Sequence, residues 1–174
     1  MIRDITVPGT RSIAAADSES LSILFYDYLR PFAAAHFYIG GATGIDTAVL
    51  NWLAEHTSAP LTVVVPGTVA DQPEAASSAI ESWRRRNRLT GVIELAAPVL
   101  NATSYHARTR YMVDRSDFVI GFPRGADEAS GTWYTLGYAS DQGKPRLVVP
   151  VQRALDSLVI QWPPPKINAG LSST

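Results

Sequence analysis

The chain has 174 residues, 46% hydrophobic and 18% charged, and this composition predicts one soluble domain with a sizeable core. The formal net charge is -1 at pH 7, so no global positive field holds nucleic acid, and any such contact needs a local basic patch. The sequence contains no cysteine, which excludes disulfides, thiolate metal sites and a cysteine nucleophile.

Apolar runs that suit strands alternate along the chain with segments of helical periodicity. In the first helical segment Leu21, Phe25 and Tyr28 share one face, and Pro31 ends the helix shortly afterwards. The run LTVVVPG, at 61–67, is typical of a strand covered on both faces. The predicted strands lie within 5–10, 37–41, 61–67, 92–95, 117–122 and 146–151. The predicted helices lie within 21–29, 45–53, 73–88, 103–115 and 130–140.

Strands that alternate with helices across short loops predict an α/β fold with a parallel sheet. We expect a single Rossmann-like, doubly wound and mostly parallel sheet with helices on both faces. This domain is predicted to occupy residues 1–155. Residues 156–174 are rich in proline and small polar residues, which predicts an extended tail or packing arm.

Four glycine-bearing turns, at 9–11, 40–44, 66–68 and 130–132, each follow a predicted strand. In an open α/β sheet, ligands bind at the carboxyl ends of the strands, beside the point where the strand order reverses. Backbone N–H groups in such turns, and the positive ends of the helices that follow, favour an anion. The turns therefore predict a phosphate- or nucleotide-type ligand. The alternative is that the glycines serve only the turns and close helix–sheet packing.

The motifs VPGTRS, GGATGID, HARTRYMVDRSDFVIGFP and SGTWYTLGYASDQGKPRLVVPV occur in the order found in the SLOG superfamily, which this chain resembles over residues 5–151. That group joins the DNA-processing protein DprA (Smf), the LOG-type cytokinin-activating phosphoribohydrolases and many small nucleotide-ligand sensors. The resemblance implies a Rossmann-like fold. It also implies a site for a nucleotide, a nucleotide-derived molecule or a nucleic-acid phosphate.

The resemblance to LOG enzymes leaves catalysis open. Those enzymes need an arginine and a glutamate for N-glycosidic cleavage; the arginine matches Arg108, but the glutamate position is Thr135. Threonine can neither stabilise an oxocarbenium-like centre by charge nor act as an acid–base group near neutral pH. The weak catalytic candidates are Asp46, Asp127 and Glu128. An N-glycosidic enzyme, of the phosphoribohydrolase or deoxyribosyltransferase type, is thus an alternative to simple binding.

The resemblance to DprA supports a second alternative, a single-stranded DNA binder. The GGAxGID turn of that family matches residues 40–46, and its serine-glycine turn matches residues 130–131. A family-like R-N-R also occurs within 84–91, but a strand, a loop and a helix separate it from the serine-glycine turn. We therefore interpret that match as a decoy and the segment as a solvated helix face. The local cluster that favours DNA is Arg84, Arg85, Arg86 and Arg88.

Individual residues also have alternative roles. Asp46, in the first turn of a predicted helix, stabilises the macrodipole or accepts a hydrogen bond from a ribose hydroxyl. Ser130 is an ordinary N-cap or a phosphate ligand. Arg108 and Arg110 point in different directions on a helix, and the family match selects Arg108 as the charged clamp.

Directly after the last glycine turn, one of Trp133 and Tyr134 is expected to stack on a base while the other packs in the core. The sequence does not distinguish between them. The complete set of predicted ligand- or phosphate-binding residues is Gly9, Thr10, Arg11, Gly40, Gly41, Ala42, Thr43, Gly44, Asp46, Gly67, Arg108, Ser130, Gly131 and Thr132.

A nucleotide or nucleotide-derived small molecule is the expected partner, and nucleic acid is the less favoured one. We expect no cofactor and no metal, because His36, His56 and His106 lack metal-ligand spacing. We expect a homo-oligomer, in which Ile160 and Trp162 lie against a neighbour or on their own domain. The sequence shows no signal peptide and no membrane-spanning apolar run, so we expect a cytoplasmic protein.

Overall fold

The computed structural model describes residues 1–152, so the predictions for the tail, including Ile160 and Trp162, lie outside the described residues. The strands are β1 (Asp4–Val7), β2 (His36–Gly40), β3 (Leu61–Val65), β4 (Gly91–Glu94), β5 (Phe118–Gly121) and β6 (Arg146–Val148). The helices are α1 (Ser18–Tyr28), α2 (Ile45–His56), α3 (Glu74–Arg85), α4 (Ala102–Asp114) and α5 (Gly131–Asp141). Short 3-10 turns lie at Ala15–Asp17, Arg30–Phe32 and Val69–Asp71.

The six strands form one parallel sheet in the order β4-β3-β2-β1-β5-β6. The chain winds outward from β1 to β4, then crosses back to β5, so the strand order reverses between β1 and β5. Right-handed crossovers place α1, α2 and α3 on one face and α4 and α5 on the other. The predicted Rossmann-like, doubly wound fold is confirmed.

The core explains why these segments form strands and helices. Every residue of β3 is buried, as expected of a continuous apolar strand covered by helices on both faces. On the α1 face, the Phe25 ring packs edge-on against the rings of Trp52 and Phe122. Aromatic contacts between α1, α2 and the end of β5 therefore join the two halves of the sheet. Within residues 1–152, no helix combines the length and apolar character needed to cross a membrane.

The carboxyl end of α2 is closed by a side chain that is distant in sequence. The Arg88 guanidinium donates hydrogen bonds to the carbonyl oxygens of Leu53, Ala54, Thr57 and Ala59, at donor–acceptor distances of 2.8–3.2 Å. These carbonyls lie at and beyond the last turn of α2, where helix carbonyls commonly lack intrahelical partners, although the Leu53 carbonyl also accepts a hydrogen bond from Thr57 N. Arg88 therefore anchors the loop after α3 to α2 and does not belong to a solvated face.

The neighbouring arginines do lie at the surface. Arg84, which is exposed, approaches Glu81 at 3.4 Å, and Arg86 lies over the Trp83 ring at 4.9 Å from its centroid. Since α3 runs antiparallel to the strands, its carboxyl end lies at the amino edge of the sheet. Position in the fold thus separates this cluster from the carboxyl edge of the sheet.

A polar row ties three strands together at the same amino edge. His36 on β2 contacts Asp4 Oδ1 on β1 through Nδ1 at 3.1 Å and Thr62 Oγ1 on β3 through Nε2 at 2.8 Å. Both ring nitrogens are thus engaged in a structural contact. Among the described residues, no group of three or more histidine, aspartate or glutamate side chains is placed to hold a metal ion.

The role of Arg88 predicts a stability effect. Arg88→Ala removes a charged donor from four carbonyls, so we expect the free energy of unfolding to fall by about 2–3 kcal/mol. Urea unfolding of the two proteins measures the change. The control is Arg85→Ala, an exposed arginine of the same segment, which we expect to change stability by less than about 0.5 kcal/mol. Equal losses in the two variants would contradict the anchoring role.

Candidate functional site

A cavity of about 450 Å³ opens at the carboxyl edge of the sheet, where the strand order reverses. Its walls are the loop after β1, the start of α2, one side of α4 and the loop that enters α5. The two loops are joined across the edge, because Thr10 N donates to the Phe122 carbonyl at 3.0 Å and Arg124 Nη1 donates to the Ser12 carbonyl at 2.9 Å. The site thus coincides with the crevice that open α/β sheets use for ligands.

The fold brings many of the predicted binding residues to this one cavity. They come from four chain segments and from both sides of the strand-order reversal, and their role in binding remains a prediction. The predicted residues that line the cavity are Gly9, Thr10, Arg11, Ala42, Asp46, Arg108, Ser130, Gly131 and Thr132.

Other predicted residues lie elsewhere. Residues of the loop before α2 line two different spaces. Ala42 lines the cavity, whereas Thr43 and Gly44 line a separate cleft between α1 and α2. A Cβ on Gly41 would point toward the Val65 side chain. Gly67 follows β3, which lies two strands away from β1, where the strand order reverses. The sequence predicted all four as binding residues of one site. The structure places them at the predicted edge of the sheet but outside this cavity, because the sequence does not give the direction in which each residue faces.

Close packing of the protein's own atoms accounts for several of the glycines. A Cβ at Gly9 would overlap the Ile45 side chain, and one at Gly41 would overlap Val65. Gly44 has a φ of 78°, in the left-handed region that favours glycine. The packing role, which the sequence analysis left open, therefore holds at these three positions.

Gly40 lies beneath the cavity and lets a buried ion pair form. A Cβ there would overlap Asp46 Oδ2 and lie 2.8 Å from Arg108 Nη1. Only the bare backbone of glycine leaves room for the two side chains to meet over the end of β2. Gly40 thus contributes to the site by leaving space for the ion pair between Asp46 and Arg108.

Arg108 is the most unusual side chain in the cavity. It is 12% exposed, and its Nη1 lies 3.8 Å from Asp46 Oδ2, which is an ion-pair distance but longer than a hydrogen bond. Within residues 1–152, its buried Nε and Nη1 atoms have no hydrogen-bond partner. Buried donors without acceptors are costly and rare in folded proteins. Arg108 and Arg110 point in different directions, as their spacing on the helix predicted: Arg108 lines the cavity, and Arg110 is exposed.

The pair is stabilised only in part by mutual attraction. Burial raises the pKa of Asp46, and the charge of Arg108 and a hydrogen bond from Ala42 N at 3.2 Å oppose that rise. Burial lowers the pKa of Arg108, and the charge of Asp46 opposes that change. Desolvation is the larger effect for both groups, so an additional polar partner would improve the environment of Arg108.

Tyr105, which the sequence analysis missed, holds two cations at the cavity. The guanidinium carbons of Arg11 and Arg108 lie 4.8 and 5.6 Å from the centre of its ring. Cations over an aromatic face are attracted by the ring quadrupole. The available signal was its position three residues before Arg108, which places both on one face of α4.

The start of α5 supplies backbone N–H groups to the same cavity. Ser130 Oγ accepts a hydrogen bond from Trp133 N at 3.4 Å, so Ser130 acts as an N-cap. Gly131 and Thr132 line the cavity, where the first-turn amides and the positive helix end favour an anion. The N-cap and the anion-binding roles are compatible at this position.

The structure distinguishes the two aromatic residues that follow. Trp133 Nε1 donates to the Gly125 carbonyl at 3.0 Å and fastens the loop before α5. Tyr134 lines the cavity, and its ring stacks on His106 with centroids 3.7 Å apart and an interplanar angle of 11°. Tyr134 is therefore the candidate for contact with a base.

The weak catalytic candidates separate in space. Asp127 Oδ1 accepts a hydrogen bond from Ala129 N at 3.0 Å in the loop, and Glu128 lines a different cleft. Thr135 Oγ1 donates to the Gly131 carbonyl at 2.8 Å. Among the described residues, Asp46 is the carboxylate that lines the cavity, and it pairs with Arg108.

Comparisons with protein-family models and with curated proteins give no match. Among solved structures, DNA processing protein A from Helicobacter pylori, described for its single-stranded DNA binding mode, is 20% identical, with a TM-score of 0.62 over 90% of this chain and 71% of that chain. DprA from Streptococcus pneumoniae is 19% identical, with a TM-score of 0.66 over 91% of this chain and 53% of that one. The chain spans about half the length of the streptococcal protein. These likenesses show that the fold is shared.

The coupled pair predicts a pH effect on stability. Arg108→Met removes the cation that opposes the rise in the pKa of Asp46, so that pKa rises further. A carboxyl with a higher pKa in the folded than in the unfolded state contributes stability at low pH, and this is lost as the pH rises through the folded pKa. We therefore expect the variant to lose about 1–3 kcal/mol relative to wild type between about pH 5 and pH 8.

Urea unfolding at the two pH values measures this loss. The control is the double variant Asp46→Asn and Arg108→Met, which lacks the titrating carboxyl and should show no such pH-dependent loss. The same pH dependence in the single and double variants would show that Asp46 is not the group responsible.

Two glycine substitutions, Gly40→Ala beneath the cavity and Gly137→Ala as a control inside α5, test the close packing at Gly40. Gly40→Ala places a methyl group against the buried pair, and we expect a loss of about 1–3 kcal/mol in thermal or urea unfolding. At Gly137, inside α5, a Cβ would meet nothing within 4 Å, so Gly137→Ala should stabilise the protein by about 0.5–1 kcal/mol. A stabilising Gly40→Ala would contradict the close approach of Asp46 and Arg108.

Proposed function

We propose that the cavity binds the phosphate group of a nucleotide and that Arg108 is the cation that receives it. The observation that carries this proposal is the pair of buried Arg108 N–H groups without acceptors beside a cavity. A guanidinium that served only to pair with Asp46 would approach it more closely than 3.8 Å. An anion in the cavity would accept hydrogen bonds from these Arg108 N–H groups once the Arg108 side chain turns toward it.

The surroundings of Arg108 add positive potential. Arg11 and Arg124 belong to the two loops that bound the cavity, and the first-turn amides of α5 lie opposite. Asp46 is the opposing negative charge among the described lining residues. Two further cations and a helix amino end therefore offset one buried carboxylate, which supports an anionic ligand.

Two sources of nucleotide phosphate have support. A free nucleotide is favoured by the volume of about 450 Å³, which lies within the range of small-molecule sites, and by the net charge of -1. Single-stranded DNA is favoured by the fold shared with Helicobacter pylori DNA processing protein A. DNA at this edge would follow Arg11 and Arg124, because the arginines of α3 lie at the opposite edge of the sheet.

Other features stand as expectations from the sequence. We do not propose N-glycosidic cleavage, because Thr135 replaces the family glutamate and Asp46 is paired with a cation. A homo-oligomer and a cytoplasmic location remain predictions.

Titration calorimetry with 5′-nucleotides and with oligothymidylate tests the proposal. We expect one of these ligands to bind and Arg108→Met to weaken binding by about 30-fold or more, since a buried charge is lost from the contact. Arg110→Met is the matched control, because it removes the same charge from an exposed position of the same helix. If folded wild-type protein binds neither ligand, or if the two variants bind equally, the proposal is overturned.

Salt dependence separates the two sources. Binding of single-stranded DNA should weaken with a slope of about -0.7 per phosphate contact in a plot of log K against log salt. A free nucleotide, with one phosphate group at the site, should give a slope no steeper than about -1. Neutralising Arg84, Arg85 and Arg86 together should leave either titration unchanged. A large loss would instead place the DNA at the amino edge.

A further inference from the structure

The rings of His106 and Tyr134 stack face to face at the cavity, so each covers one face of the other and the pair presents an outer ring face as an aromatic surface. Their planes lie 11° apart with centroids separated by 3.7 Å, and both residues line the cavity. His106 lies on α4, two residues before Arg108, and Tyr134 lies in the first turn of α5. The surface is thus built from the same two helices that present the proposed phosphate contacts.

These rings differ from those that serve the core. Phe25 and Phe122 are 2% and 0% exposed and pack against other apolar side chains. His106 and Tyr134 are half-buried, carry polar atoms and line a cavity. Parallel stacking also keeps the two rings in one orientation, which prepares a face for a third ring at little entropic cost.

We infer that this aromatic surface is the base-recognition part of the site, so that the ligand is a nucleotide recognised through its base and not a sugar phosphate or a bare phosphate. The inference rests on the proposed function and adds the chemical class of the ligand. Stacking on an aromatic side chain tolerates any base, since each base has a π-face. The site therefore selects nucleotides as a class and discriminates weakly among the bases.

The test compares ligands that share a phosphate and differ in the base. Calorimetry measures the affinities of AMP and ribose 5-phosphate for wild type, Tyr134→Leu and Tyr134→Phe. An oligothymidylate and an abasic oligomer of equal length provide the same comparison for the DNA source. The matched control is Tyr138→Leu, one turn further along α5, which borders a neighbouring cleft together with Tyr134 but does not line the proposed cavity.

We expect wild type to bind the base-bearing ligand at least about tenfold more tightly than its base-free counterpart. Tyr134→Leu should remove most of that difference without changing the affinity for the base-free ligand, and Tyr134→Phe should retain it. Tyr138→Leu should match wild type. Arg108→Met should weaken both ligands, because it acts on the phosphate.

Two results would overturn the inference while leaving the proposed function intact. One is equal binding of base-bearing and base-free ligands by wild type. The other is a Tyr134→Leu protein, folded by circular dichroism, that binds both ligands as wild type does. If wild type binds no phosphate-bearing ligand at all, the proposed function fails and this inference fails with it.

Discussion

The candidate site depends on one buried ion pair, between Arg108 of α4 and Asp46 of α2. The pair forms over Gly40, where any larger residue would fill the space that the two side chains occupy. At 3.8 Å the attraction offsets only part of the desolvation of each group, and two N–H groups of the guanidinium stay without acceptors. Such an arrangement by itself destabilises the folded protein. An anion that accepted hydrogen bonds from these N–H groups would offset that cost.

The topology of the sheet creates the place in which this pair is useful. The chain reverses its winding between β1 and β5, so the loops that follow these strands separate to opposite faces and leave a crevice. Hydrogen bonds from Thr10 and Arg124 hold the two loops together at the rim. The α4 helix crosses to the second face and brings Arg108 and Tyr105 over the crevice, opposite the start of α5.

The arginines of this chain illustrate why position in the fold decides function. Arg88 belongs to a run that resembles a DNA-binding motif, but its guanidinium is engaged by four carbonyls at the end of α2. Arg84 and Arg86 are exposed at the amino edge of the sheet, remote from the crevice. Arg108 occurs in a less distinctive run, yet its side chain is buried at the cavity. Likeness to DprA proteins shows the fold; the case for a ligand rests on the environment of Arg108.

The sequence by itself determined the order of strands and helices, the parallel sheet and the edge at which the glycine turns collect, because periodicity and turn residues act locally. Helical spacing also indicated that Arg108 and Arg110 point in different directions, and the resemblance to SLOG proteins selected Arg108. Only the tertiary structure decided which way each turn residue faces, that Tyr134 and not Trp133 lines the cavity, and that Tyr105 gathers two cations. Those choices depend on contacts between segments far apart in the chain, such as Gly40 with Arg108, and no local pattern encodes them.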